Sequence, residues 1–269
     1  MILNSISVSP VFAIRQFHTA FRYEWDNGFS YMGESHDFWE AVYVKAGEVQ
    51  VTEGANIYSL KEGELILHAP MEFHNIRSEE GASSRVLILS FSTEGELPDK
   101  LTRGVFRLSE TEREDYEGVF DLVYRLFQRR EEDPYAGTEC AARLTAFLIG
   151  VGRGGEAERP LVRSRSAQEY RRVVNAMTAR VYENIALEDI AAAENISVSY
   201  LKLLFKMYSG TSPKLYWSRL RCNEAVKLLQ QGVSPTEIAD RMNFSSPNYF
   251  STFFKRMTGI SPRDYPQNA

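Results

Sequence analysis

Between about residue 8 and residue 95, apolar residues come in short runs rather than helical stripes. Ala41–Val44, Val49–Thr52, Leu65–Leu67 and Val86–Phe91 are rich in Val, Ile, Leu and aromatics, and Gly28, Gly33, Gly47, Gly54, Gly63 and Gly81 punctuate them. Many short strands at near-regular spacing predict a sandwich or barrel. The pattern changes after Leu108. Ser109 followed by Glu112 predicts a capping box, and Tyr116, Val119, Phe120, Val123, Leu126 and Phe127 then recur at helical spacing. Asp133-Pro134 ends that helix. A second helix is expected from about Tyr135 to Ile149, with Leu144, Phe147 and Leu148 on its apolar side. Gly, Pro and charges crowd the stretch that follows, which reads as a linker. The expected organisation is α+β in two domains: a β-rich domain over 1–108, a helical region over 109–151, a linker over 152–165 and an all-α domain over 166–269.

The all-α region contains a repeat. Leu187, Ile190-Ala191, Asn195-Ile196-Ser197, Tyr200-Leu201, Phe205-Lys206, Gly210 and Ser212-Pro213 are echoed by Thr236, Ile238-Ala239, Asn243-Phe244-Ser245, Tyr249-Phe250, Phe254-Lys255, Gly259 and Ser261-Pro262. Each copy parses as helix, tight turn, helix. Asn at the turn suits positive φ, which it tolerates better than most residues. Ser197, and Ser245 or Ser246, stand where an N-cap is wanted. Leu201, Leu204 and Phe205, and then Phe250, Phe253 and Phe254, form the buried stripes. The opposite faces hold Ser199, Lys202, Leu203 and Lys206, and Asn248, Ser251, Thr252 and Lys255. Hydroxyls, an amide and positive charge suit phosphates and base edges. A helix from about Pro213 to Gln230 joins the copies. Its eighteen residues span roughly 27 Å, comparable with the ~34 Å between successive major-groove faces of a duplex.

Charge sharpens this picture. The net charge is -5, yet residues 161–269 hold 15 Lys and Arg against 9 Asp and Glu, and residues 1–160 hold 16 against 27. A basic half joined to an acidic half is expected when one domain alone meets phosphate. With 43% hydrophobic and 25% charged residues, the chain has an ordinary globular composition. Cys140 and Cys222 lie far apart and form neither a metal cluster nor an evident disulfide, which fits a reducing, cytoplasmic setting. No basic start with an apolar run marks Met1 to Ile14 as a signal peptide, and no stretch approaches a bilayer span.

The C-terminal hundred residues resemble the DNA-binding domain of the AraC/XylS transcription regulators. The resemblance rests on Arg221-Cys-Asn-Glu-Ala225-Val-Lys-Leu228-Leu229, Ile238-Ala239, Phe244, Tyr249-Phe250, Phe254-Lys255, Gly259 and Ser261-Pro262. It implies that the second helix of each unit reads a major groove. Asn195 and Asn243 replace the usual turn Gly, and Leu203 and Thr252 stand where a long polar residue is common. Leu203 cannot donate to guanine; it contacts a thymine methyl or packs.

The resemblance extends more loosely to the N-terminal half, as a cupin-like β-barrel with trailing helices. Glu34-Ser-His36-Asp-Phe-Trp-Glu40 with Gly47 resembles the first cupin motif, and Gly63 with Pro70-Met-Glu72-Phe-His74 the second. Metal-binding cupins supply three His and one Glu at such positions. Here Glu34 replaces the first His, while His36, Glu40 and His74 match. If a metal binds, those three are its expected ligands, with Fe(II), Mn or Zn the candidates. The preferred expectation is an effector pocket for a sugar or aromatic ligand, formed by His36, Phe38, Glu40, Tyr43 and His74, with Trp39 nearby and no catalytic residue, metal or cofactor. His36 and Glu40 are expected to share one face of a strand. A metal-dependent cupin enzyme fused to a DNA-binding domain is the alternative. The cysteines cannot supply an alkyltransferase, and no phosphate loop is evident. The implied partners are double-stranded DNA, a small-molecule effector, RNA polymerase and a second copy of the chain through the helices between Ser109 and Ile149. An activator role is expected, with the sign of regulation left open.

Overall fold

The computed structural model describes residues 10–25, 29–31, 33–78, 82–102, 104–128, 133–154 and 164–265. Gly28, Gly81, most of the linker and most of the stretch read for a leader lie outside the described residues.

The β-rich half is two antiparallel sheets. The first orders its strands as β1 (Ala13–Trp25), β8 (Ser84–Glu94), β3 (Trp39–Ala46), β6 (Glu64–His68) and β9 (Val105–Arg107). The second orders β2 (Phe29–Ser30), β7 (His74–Ser78), β4 (Glu48–Glu53) and β5 (Asn56–Lys61). Period-two alternation sets what each face does. Val42, Val44, Ile66, Val86 and Ile88 point inward against Val49, Val51, Tyr58, Leu60 and Ile76 of the facing sheet. Ala41, Tyr43, Leu65, Leu67, Leu87, Leu89 and Phe91 point outward.

Two helices cover that outer face. In α1 (Glu110–Phe127) the capping box is present: the Ser109 N–H donates to Glu112 at 2.8 Å, and the Glu112 N–H to Ser109 Oγ at 3.3 Å. Its residues Tyr116, Val119, Phe120 and Val123, with Cys140, Leu144, Phe147, Leu148 and Val151 of α2 (Ala136–Gly154), complete the outer core. The stripes read as a dimerisation surface are therefore spent on the sheet, because its outer face of Leu, Tyr and Phe is the nearest apolar surface the helices can cover.

The C-terminal half is helical: α3 (Arg165–Ala179), α4 (Leu187–Ala193), α5 (Val198–Tyr208), α6 (Pro213–Gln230), α7 (Pro235–Arg241) and α8 (Pro247–Thr258). Both turn asparagines adopt φ 54°, as expected from their position. Ser197 and Ser246 are the N-caps of α5 and α8, each accepting a backbone N–H at 3.1 Å. The first unit closes around Tyr170, Ile190, Leu201, Leu204, Phe205 and Tyr216, and the second around Val226, Leu229, Ile238, Phe250 and Phe254. Arg221 is buried. Its guanidinium donates to the Met242 carbonyl and lies 4.2 Å over the Phe244 ring, which fixes the second turn against α6.

The halves touch. Thr52 Oγ1 donates to the Tyr208 carbonyl at 2.7 Å, and Arg77 to the Met207 carbonyl at 2.5 Å. A cation near the last carbonyls of α5 complements its dipole. On α6, Arg219 donates to the Gly33 carbonyl at 2.8 Å and covers the Phe73 ring at 5.2 Å.

Candidate effector pocket and nucleic-acid interface

A cavity of about 360 Å³ opens between the two sheets. Phe21, Tyr23 and Trp25 reach it from β1, where alternation puts every second residue on one face. Trp25 stacks on Phe29 at 4.1 Å and 5°, which makes a flat aromatic wall. Tyr31 and Phe38 extend the lining. The floor is polar: Glu34, His36, Glu40, His68, His74 and Ser90.

His36, Phe38, Glu40 and His74 are thus brought together as expected. His36 gets there differently. It lies in the irregular segment before β3, not on the strand, and its ring stacks on Phe38 at 3.8 Å. Tyr43 is a correction. It points to the opposite face of β3 from Glu40, is buried beside Tyr116, and donates to Glu117 at 3.2 Å. Residues 40 and 43 differ by an odd number, so one strand cannot aim both at one cavity. Trp39 falls outside for the same reason. His68 was missed. It lies at the end of β6, two positions beyond inward-facing Ile66, and stacks on His74 at 4.2 Å.

The floor is tightly coupled. His74 Nε2 lies 3.2 Å from Glu40 Oε1, and His36 Nε2 lies 3.6 Å from Glu40 Oε2. Burial opposes ionisation of Glu40, but the neighbouring histidines outweigh it and hold the carboxyl well below the usual range. Burial disfavours the charged form of His74, and the Glu40 carboxylate more than compensates, so His74 is raised. His68 is pushed well down by complete burial and by the charge of His74. Behind them Glu53 and Glu72 share a hydrogen bond, and burial raises both.

The C-terminal candidates divide by exposure. Ser199, Lys202, Leu203 and Lys206 on α5, and Asn248, Thr252 and Lys255 on α8, are exposed; Ser251 is half-buried. Leu203 is 49% exposed, so it is a surface contact rather than core. Ser251 and Thr252 donate their hydroxyl protons back to the carbonyls of Pro247 and Asn248 at 2.9 and 3.0 Å, which leaves their oxygens as acceptors. Tyr249 (57% exposed) and Arg256 also lie on α8 and were not singled out. The Tyr249 position follows a pattern shared with half-buried Tyr200, which masks its exposure.

Comparison with known proteins agrees with both halves. A family model described as an AraC-like ligand binding domain matches residues 18–148, and one described as a helix-turn-helix domain matches residues 190–268. The chain belongs to the AraC family of regulators. It is 28% identical over 152 residues to the HTH-type transcriptional regulator ArgR of Pseudomonas aeruginosa, covering 54% of this chain and 45% of that protein. To the HTH-type transcriptional activator RhaS of Escherichia coli it is 31% identical over 154 residues, covering 55% and 53%. The chain spans about half the length of these curated relatives. A crystal structure of a transcriptional regulator with an AraC-type DNA-binding domain from Chromobacterium violaceum is 36% identical, covering 37% of this chain and 89% of that one, with a TM-score of 0.35.

Proposed function

We propose that this protein is a sequence-specific, effector-responsive transcription regulator that places α5 and α8 in adjacent major grooves. The observation that carries the reading is the pairing of two helix-turn-helix units across the single helix α6, each with its polar face exposed. About 27 Å of helix is a rigid spacer comparable with the ~34 Å between successive major-groove faces. Phosphate contacts from Lys202, Lys206 and Lys255 supply affinity, and Asn248 and Leu203 supply base preference.

The effector enters between the sheets, onto the aromatic wall of Phe21, Tyr23 and Trp25 and the polar floor of His36, Glu40 and His74. A sugar or an aromatic ligand suits that lining. The pocket binds and does not catalyse, because the DNA-binding half gives occupancy an output without chemistry. Pocket and output are linked through α6, which grips the segments carrying His36 and His74. The molecule works in the cytoplasm as a homodimer and meets RNA polymerase on the promoter. Among the described residues no helix is long and apolar enough to cross a membrane. Selection of duplexes from a random pool by the full-length chain tests the central reading. Enrichment of a two-part motif, with affinity falling as salt rises, is expected; no enrichment over the input pool rejects sequence-specific binding.

A further inference from the structure

A second cavity, of about 450 Å³, lies between the two helix-turn-helix units. The first unit supplies the entry to α4, residues 184–188. The second supplies its turn, residues 243–245, and one side of α8. From α6 come Lys214 and Arg221, seven residues apart and so on one face of that helix. With Arg256 of α8 the cleft holds three cations, against one carboxylate, Glu188.

Arg221 is only 6% exposed. Its guanidinium donates to the Met242 carbonyl and lies over the Phe244 ring, yet its Nε is buried and makes no hydrogen bond. Burial pushes the guanidinium pKa down, and among the described residues the group that favours its charge is the Tyr249 phenol, not a carboxylate. A desolvated charge with no counter-ion is costly, and an anion in the cleft would relieve it. Lys214 and Arg256 stand exposed at the rim, and neither forms an ion pair among the described residues.

Their place on the fold says which anion. At about 100° per residue, Asn248, Thr252 and Lys255 share one exposed sector of α8, and Arg256 borders it on the side that lines the cleft. A helix seated in a major groove has a sugar-phosphate strand along each flank. With α5 and α8 in adjacent major grooves, the strands bounding the intervening minor groove pass between the two units, over this cleft.

We propose that the cleft between the units holds backbone phosphate of the DNA between the two grooves, contacted by Lys214 and Arg256 at the rim and by Arg221 beneath them. The proposal rests on the two-groove reading and adds to it the residues that set where both recognition helices land, without reading a base. A purely structural Arg221, pinning the second turn, is the competing account. It explains the contacts with Met242 and Phe244, and leaves the bare Nε and the two neighbouring cations without a reason.

The test uses the full-length chain with Lys214→Ala, Arg256→Ala and both together. These side chains are exposed, and circular dichroism checks that the fold is kept. Arg221 is left in place because its loss would also free the second turn. On random-sequence duplex long enough to span two major grooves, the salt dependence should fall by about one counterion for each cation removed. On duplex enriched by selection, single phosphates are replaced by neutral methylphosphonates. One or two positions between the half-motifs should weaken the wild type about tenfold when neutralised. The double variant should be insensitive at those positions and stay sensitive at phosphates elsewhere in the site. An unchanged salt dependence in the double variant overturns the proposal, and so does equal sensitivity of wild type and double variant at every phosphate between the half-motifs. A third result would also overturn it: millimolar inorganic phosphate, against chloride of equal ionic strength, raising the melting temperature of the DNA-free wild type and not of the double variant. The cleft would then serve a free anion. If no sequence is enriched, sequence-specific binding falls, and the salt dependence on random duplex still decides the cleft.

Discussion

The side-chain amide of Asn223, on α6, donates to the carbonyl of Met71 at 2.7 Å, across the boundary between the two halves. Its second proton goes to Ser35 Oγ at 2.8 Å. Met71 needs the support. Its φ is 64°, a left-handed value that costs a non-glycine residue of order 1 kcal/mol or more. Its own N–H donates to the His36 carbonyl at 2.6 Å. One asparagine thus ties α6 to both segments that deliver the pocket histidines. Replacing Asn223 with Ala should leave the Met71 carbonyl short of a donor and cost about 1–3 kcal/mol. Amide hydrogen exchange should quicken at residues 33–36 and 71–74 while α1 and α2 stay protected. Unchanged exchange in both segments would show that the contact couples nothing.

The turn asparagines give a cleaner thermodynamic prediction. Asn195 and Asn243 both sit at φ 54°. Ala at either position should destabilise by about 1 kcal/mol, because it keeps the Cβ that crowds the carbonyl in that conformation and loses the short polar side chain that offsets the crowding. Gly should be neutral within a few tenths, since its φ freedom offsets its larger unfolded-state entropy. Urea denaturation of the four single variants checks this, and equal losses for Ala and Gly would mean that the side-chain amide, not φ, is what the turn requires.

Legibility followed the range of the interactions. Helix starts, turns and the linking helix depend on residues three or four apart, so Ser109, Ser197, Asn195 and Pro213 announced them. The aromatic wall was also in the sequence, as the alternation Phe21-Arg22-Tyr23-Glu24-Trp25, but those residues had not been assigned to a strand. Tyr43 was misplaced because its closeness in sequence to Glu40 was weighed above the parity of the strand. His68 needed the register of β6 against β3, where it stands opposite Glu40. The grip of Arg219 and Asn223 on the first half joins residues more than 150 apart, and no local pattern encodes that.

The corrected pocket separates two substitutions. Trp25→Ala removes the ring that stacks on Phe29 and should abolish ligand-induced melting shifts in a screen of sugars and aromatic compounds. Tyr43→Phe removes only a hydroxyl on the helix side, at about 1 kcal/mol, and should leave every hit intact. Loss of the hits in Tyr43→Phe with retention in Trp25→Ala would return the pocket to the side first expected.

A homodimer, if one forms, has to use surface other than the buried stripes of α1 and α2. Among the described residues of this helical region, Phe127 and Tyr135 are the most exposed large apolar side chains, at 45% and 75%. Sedimentation of the full-length chain at micromolar concentration should give twice the monomer mass, and Phe127→Glu with Tyr135→Glu should return it to monomer. A wild-type monomer at that concentration removes the dimer from the proposed function.

Base reading and phosphate contact should part company on α8. Asn248 is in its first turn, exposed, with an amide able to pair with the N6 and N7 of adenine. Lys255 is two turns further along, where a recognition helix leaves the groove floor, and a flexible ammonium there meets phosphate. Asn248→Ala should cost about 1–3 kcal/mol on the selected site and little on random duplex, relaxing preference at one position. Lys255→Ala should weaken both duplexes alike and lower the salt dependence by about one counterion. Titrations at several salt concentrations measure both quantities on the same proteins. If Asn248→Ala weakens selected and random duplex equally, Asn248 touches backbone, and the specificity of the second unit passes to Thr252 and Tyr249 on the same face.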